Sequence, residues 1–291
     1  MFEALGSDFG FDGVGDVMVV EVHKNYVTVA GLRTYYWQAG KGPALLLLHG
    51  QLPGSCVAVE WGDQVQRFGE AGFSVYAPDV PGFGKTDNPP DYSIELRIAH
   101  ARAFADYFGF TRYSIWGSSM GSYMACALAL NDQRVHKLIL NPSTILPPQL
   151  PGMAAPATPV PGTVAAAIQE LTPSRENARA ILKLVLKNPK ALTDELVQLF
   201  SENWNEKNHS ANRGRLALGT PKPLHTELPR LRNPALLLWG AEDRSSVTER
   251  AVLMQRLIEG SELHVLSACG HWPQVDRCER SRQIVTQFLQ A

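Results

Sequence analysis

Tyr113-Ser114-Ile115-Trp116-Gly117-Ser118-Ser119-Met120-Gly121, running on to Leu130, decides how the rest of the chain is read. The apolar run Tyr113 to Trp116 predicts a short buried strand and Met120 to Leu130 a helix, so Gly117 to Gly121 is a G-x-S-x-G turn between them. Such a turn strains the backbone of its central residue, and the flanking glycines remove Cβ atoms that would clash with the neighbouring strand and helix. Ser119 would then project from the strand's carboxyl end at a helix N-terminus, whose dipole favours developing negative charge.

On the N-terminal side, Val17 to Val22, Tyr26 to Val29 and Arg33 to Gln38 read as opening strands joined by turns. Ala44-Leu45-Leu46-Leu47-Leu48 is five apolar residues without a break, as a strand buried on both faces requires. The same signature recurs at Phe73 to Ala77, Lys137 to Leu140, Ala235 to Trp239 and Leu263 to Leu266. Between these runs, Ile94, Ile98, Ala101, Phe104, Ala105 and Phe108 follow a helical period, and Val247 to Ile258 behaves similarly. The alternation predicts an α/β protein with a mostly parallel, doubly wound sheet.

From Ser143 to Leu224 the alternation stops. A proline-rich stretch (Pro142, Pro147, Pro148, Pro151, Pro156, Pro159, Pro161) leads into helical segments at Asn177 to Leu186 and Thr193 to Trp204. The expected organisation is an N-terminal arm over 1–16, a core over 17–142 and 225–291, and a helical cap over 143–224. Leu146, Met153, Phe200 and Trp204 are candidates for the cap's contribution to a pocket.

The 291 residues carry 27 basic and 28 acidic side chains, a net charge of -1, so no broad field collects polyanions and nucleic acid is excluded as an expected partner. Cys56, Cys126, Cys269 and Cys278 share no metal-ligand spacing and read as reduced, packed thiols, which points to the cytoplasm. Residues 1–16 lack the basic and apolar regions of a signal peptide, and no run approaches a membrane span. Neither HExxH nor G-x-G-x-x-G after the first strand is present, so neither a metal nor a dinucleotide cofactor is expected.

A serine needs a base, and His271 in Ala268-Cys269-Gly270-His271-Trp272 follows the strand Leu263 to Leu266, at the sheet edge that faces Ser119. Asp243, in the corresponding loop after Ala235 to Trp239, would orient it, with Glu242 as the competitor. His49-Gly50-Gln51 ends another strand. The backbone N–H groups of Gln51 and Met120 would converge on an oxyanion, each donor contributing on the order of 3 kcal/mol to catalysis.

This assembly resembles the α/β-hydrolase superfamily over residues 24 to 291. Asn88-Pro89-Pro90, Ser261 to Leu266 and above all Cys269-Gly270-His271-Trp272-Pro273-Gln274 resemble the meta-cleavage product hydrolases, which cut carbon-carbon bonds in ring-opened aromatic compounds. The resemblance implies an α/β-hydrolase fold, no cofactor, a homodimer, and an apolar or aromatic small-molecule substrate contacted by Gly50, Ser118, Phe200, Trp204 and Trp272. The chain departs from the family pattern in three places. Gln51 and Leu52 replace small residues, Ser118 stands where relatives carry Asn, and Phe200 falls where an arginine binds the substrate carboxylate. A phenyl group cannot replace a bidentate arginine, so the substrate lacks that carboxylate or Arg175, Arg179, Arg213 or Arg215 supplies the charge.

The leading expectation is a serine hydrolase acting on a carbon-carbon bond, and the runner-up an ester, thioester or lactone hydrolase with the same groups. A non-catalytic binding protein and cofactor-free oxygen chemistry are weaker alternatives. Aspartate-nucleophile chemistry is disfavoured by Ser119 itself.

Overall fold

A computed structural model describes residues 20–89, 91–143, 145–147, 171–218 and 221–291. The expected arm, Met153 and most of the proline-rich stretch lie outside the described residues.

Strands β1 (Val22–Val29) and β2 (Leu32–Ala39) form an antiparallel hairpin turned by Ala30 and Gly31, both at positive φ, as a two-residue type I′ connection requires. The expected strand Tyr26 to Val29 is the second half of β1, and residues 17–19 of the expected strand Val17 to Val22 lie outside the described residues. The polar His23, Lys24 and Asn25 do not interrupt β1, because it is an edge strand with most of its side chains in water. Strands β3 (Ala44–Leu48), β4 (Ser74–Pro78), β5 (Tyr113–Gly117), β6 (Val135–Leu140), β7 (Ala235–Gly240) and β8 (Glu262–Leu266) complete a sheet of order β1-β2-β4-β3-β5-β6-β7-β8. β2 pairs antiparallel with β4, and β3 to β8 pair in parallel.

Alternation within β3 divides the core. Leu46 and Leu48 pack with α3 (Ile94–Tyr107), α4 (Met120–Ala129) and α8 (Thr248–Leu257), while Leu45 and Leu47 pack with α2 (Gly62–Glu70) and α10 (Cys278–Gln290). Both faces are thus covered, which is why β3 is apolar throughout. β8 departs from the sequence expectation: it is the far edge, and Val265 is 45% exposed.

The chain runs from β3 outward to β4, then crosses back to place β5 on the other side of β3. That reversal opens a crevice at the carboxyl ends of β3 and β5, where ligands bind in open α/β sheets.

Between β6 and β7 come helices α5 (Arg175–Val185), α6 (Asp194–Asn203) and α7 (Glu206–Ala217). Thr193 caps α6 by accepting from Leu196 N–H at 3.1 Å, and Ser174 caps α5 through Asn177 N–H at 3.0 Å. Ile181, Leu182, Val197, Phe200 and Trp204 pack onto Leu52, Val59 and Trp272 of the core. Burying one such side chain contributes about 2–3 kcal/mol. The exposed pairs of Arg175 and Arg179 with Asp194 are each worth under about 1 kcal/mol, so packing seats the cap. Helix α7 is missing from the sequence expectations because hydrogen bonds anchor it. Asn208 Nδ2 donates to Gly84 O at 3.1 Å and Lys207 Nζ to Thr86 O at 2.7 Å. Among the described residues no helix is long and apolar enough to cross a membrane.

Candidate active site

Ser119 follows β5 and precedes α4 with φ 53° and ψ -115°, a conformation that non-glycine residues seldom adopt. The surrounding glycines are sterically required. A Cβ on Gly117 would come within 2.4 Å of the Gly121 backbone, and one on Gly121 within 2.0 Å of Leu48 O. Helix α4 thus packs against β3 only because position 121 lacks a side chain.

His271, in the loop after β8, is 7% exposed, and its Nδ1 lies 2.8 Å from Asp243 Oδ2. Asp243 Oδ1 accepts from the N–H groups of Ser245 at 2.7 Å and Ser246 at 3.1 Å, so the carboxylate is aimed before it meets the ring. Glu242, the competitor, turns away and accepts from Ala268 N–H at 3.2 Å and Cys269 N–H at 2.9 Å. Burial by itself would lower the basicity of His271. The charge and hydrogen bond of Asp243, with a further contribution from Glu60, overcome it and hold the imidazole above its usual range. Among the described residues no hydrogen bond joins Ser119 to His271. Such contacts commonly close only with substrate bound.

Gly50 lies against Ser119, since a Cβ there would sit 3.1 Å from Ser119 Cβ. His49 shapes this loop from below. Its Nε2 accepts from Val80 N–H at 2.9 Å, which leaves Nδ1–H to donate to Gly50 O at 2.8 Å, and burial lowers its pKa to about 4, so it stays neutral. Gln51 and Met120 share a cavity of about 310 Å³ that is also lined by Tyr92, Arg97 and Lys222. Met120 opens α4, where a helix leaves its first N–H groups without intrahelical acceptors. A larger cavity, about 720 Å³, lies between the β1–β2 edge and α6, and its walls include none of these groups.

The other expected contacts are placed differently. Phe200, Trp204 and Trp272 are at most 1% exposed, and none of them lines the cavity at Gln51 and Met120. Phe200 meets Trp204 edge-on with ring centroids 6.3 Å apart and Trp272 at 6.5 Å, as part of the cap-to-core packing. Ser118 is fully buried and its Oγ accepts from Gln274 Nε2 at 3.0 Å. Arg175 and Arg179 pair with Asp194 on the cap surface and Arg213 is exposed. The Arg215 side chain lies outside the described residues.

Several residues that hold the site were not singled out from sequence. Asp276, in α9 (Pro273–Asp276), accepts from Gly270 N–H at 2.6 Å, Lys187 N–H at 2.8 Å and Asn188 N–H at 2.9 Å, tying the histidine loop to the end of α5. His271 N–H donates to Val185 O at 2.7 Å across the same seam. Glu60, ending α1 (Val57–Glu60), accepts from Gly50 N–H at 3.0 Å. Glu60 had one sequence signal, a charge within the apolar run Val57 to Trp61, whereas Asp276 lies among other charged residues and had none.

A model of the alpha/beta hydrolase family matches residues 45–283, a span that holds the serine turn, Asp243 and His271. The chain belongs to that family. Within it, this hydrolase-family member is closely related to meta-cleavage product hydrolases of aromatic catabolism. It is 31% identical over 271 residues to a 2-hydroxy-6-oxononadienedioate/2-hydroxy-6-oxononatrienedioate hydrolase of Burkholderia vietnamiensis, covering 89% of this chain and 91% of that protein. A meta-cleavage product hydrolase from Pseudomonas fluorescens IP01 superposes with a TM-score of 0.76 at 27% identity, over 91% of this chain and 97% of its own. The 2-hydroxy-6-oxo-6-phenylhexa-2,4-dienoate hydrolase of Rhodococcus sp. strain RHA1 shares the fold, with a TM-score of 0.80 at 23% identity over 94% and 100% of the two chains. Among the described residues no group of three or more His, Cys, Asp or Glu is placed to hold a metal ion.

Proposed function

We propose that this chain is a cofactor-free serine hydrolase that cleaves a carbon-carbon bond next to a carbonyl in a ring-opened, apolar or aromatic compound. The observation that carries the reading is the aimed pair of Asp243 and His271, 2.8 Å apart, at the sheet edge that also bears the strained Ser119. His271 Nε2 takes the Ser119 proton as Oγ bonds to the carbonyl carbon, and the carbonyl electron pair moves onto oxygen. Gln51 and Met120 N–H groups hold that oxyanion. When the carbonyl re-forms, the carbon-carbon bond breaks, and the departing carbon keeps the electron pair and takes the proton from His271. Water, deprotonated by His271, then releases the acyl group from Ser119. A dienol substrate first becomes its keto tautomer, so that the departing carbanion is delocalised.

A second reading, hydrolysis of an ester or lactone, uses the same steps with oxygen as the leaving atom. Phe200 favours it, because a fully buried phenyl group stands where a carboxylate-binding arginine is expected and the nearby Arg175 and Arg179 are committed to Asp194.

Treatment with a fluorinated organophosphonate followed by peptide mass mapping tests both at once. Modification confined to Ser119, and lost on His271→Ala, supports an armed serine. An unmodified Ser119 would return the binding-protein reading.

A further inference from the structure

Glu60 is 1% exposed, and the steps above leave its carboxyl unused. Oε1 accepts from Gly50 N–H at 3.0 Å and from Ser55 Oγ at 2.6 Å, and Oε2 accepts from Gln274 Nε2 at 3.3 Å. The Gln274 amide reaches further: Nε2 donates to Ser118 Oγ at 3.0 Å, and Oε1 accepts from Asn141 Nδ2 at 2.6 Å. Asn141 Oδ1 in turn accepts from Trp116 Nε1 at 3.0 Å. This buried net ties together the oxyanion loop after β3, the turn that carries the nucleophile, and the segment behind His271.

The three groups that meet Glu60, Gly50 N–H, Ser55 Oγ and Gln274 Nε2, each offer it a hydrogen, which suits an acceptor-only carboxylate better than a carboxyl that must itself donate. The position is close to the chemistry. A Cβ built on Gly50 would lie 3.1 Å from Ser119 Cβ and 3.2 Å from Glu60 Oε1, so the nucleophile and the acid flank one glycine. The titratable groups that act electrostatically with Glu60 are His271 and Cys56, the latter a buried thiol pushed well up by burial, Asp79 and Glu60.

Resting on the serine-hydrolase reading, we propose that Glu60 is a second carboxylate of the active centre. Its charge fixes the Gly50 amide, steadies the His271 imidazolium alongside Asp243, and keeps anionic substrate groups out of the space beside Gly50. When His271 takes the Ser119 proton, a positive charge appears in a buried site, where a second negative charge acts far more strongly than it would in water. The same charge repels a substrate carboxylate beside Gly50, where Phe200 offers nothing to offset it, whereas Arg97 and Lys222 in the wall of the cavity at Gln51 would attract an acid group. The substrate class that follows is an uncharged carbonyl compound, or one whose acid group points away from Gly50.

Burial holds the Glu60 carboxyl at about 7, so its charge builds up across neutral pH. The test uses 4-nitrophenyl ester pairs matched in size, one member bearing a carboxylate and the other its methyl ester, with the group placed in turn on the acyl and the aryl part. In the wild type at pH 8, the neutral member is preferred at least 10-fold in one pair, and the preference shrinks as pH falls from 8 to 6. Glu60→Gln keeps the shape, cuts that preference at least fivefold, and moves the acid limb of the kcat/KM profile to lower pH. A folded Glu60→Gln protein with both quantities unchanged overturns the proposal. If that variant does not fold, a wild-type preference constant from pH 6 to 8 does the same. Absence of Ser119-dependent turnover of even the neutral esters would instead sink the hydrolase reading, and this inference with it.

Discussion

Asp243 Oδ2 lies 2.8 Å from His271 Nδ1, and each partner is held from behind by backbone: Asp243 by the amides of Ser245 and Ser246, His271 through its own N–H to Val185 O. The pair is therefore built before any substrate arrives. Two loops and the end of a cap helix meet there, so the cap helps to set the orientation of His271.

Asp243→Asn keeps the shape but removes the charge and disturbs the tautomer of His271, so kcat on any turned-over ester should fall about 10³- to 10⁴-fold. Glu242→Gln, next door, should lower kcat less than about tenfold, because that side chain holds Ala268 and Cys269 amides rather than the ring. Steady-state kinetics on the two variants would assign the acid. Equal losses would undo the assignment to Asp243.

A histidine acts as a base only when neutral, and Asp243 holds His271 above its usual 6.5 despite burial. The acid limb of kcat/KM should therefore lie above pH 6.5 and move down in Asp243→Asn. Since the folded value exceeds the unfolded one, the stability this histidine contributes is fully present below about pH 6.5 and is lost as pH rises through the folded value. Thermal melts should accordingly show His271→Gln losing more stability at pH 6 than at pH 9.

Gly121→Ala would drive a methyl to 2.0 Å from Leu48 O, with backbone on both sides and no side chain to yield. A loss of about 2–3 kcal/mol is expected in denaturant melts. Gly31→Ala, with open space around it, strains only its own φ of 79° and should cost less.

Phe200→Ala should destabilise the protein by about 3–5 kcal/mol, because it leaves a cavity among Trp204, Trp272 and Val197. Arg179→Gln should leave kcat/KM within about twofold, since its partner is an exposed carboxylate. A large loss of dienoate turnover in Arg179→Gln would show that the cap supplies a cation after all.

The sheet was legible in the sequence wherever a strand is buried on both faces: Ala44 to Leu48 and Ala235 to Trp239 are apolar throughout because helices cover them on each side. Edges were harder to read. β1 tolerates His23 to Asn25, and β8 leaves Val265 in water, so neither follows the rule for central strands. Ser119, Asp243 and His271 stood out because glycine turns and strand ends mark them. Glu60, Gln274 and Asp276 carry no local signature, since their roles arise from contacts across more than 80 residues of chain, such as Gln274 with Glu60 or Asp276 with Lys187. Helix α7 was invisible for a related reason, being held by Asn208 and Lys207 rather than by an apolar stripe.

The central claim is Ser119-dependent cleavage of a carbon-carbon bond. The measurement is kcat/KM for the wild type and Ser119→Ala on a ring-fission dienoate and on an aryl ester of similar bulk. The expected result is a dienoate preference of 100-fold or more, about 2.7 kcal/mol of transition-state binding, abolished in the alanine variant. A Ser119-dependent preference for the ester would contradict carbon-carbon cleavage, and turnover unaffected by the loss of Ser119 would contradict the nucleophile itself.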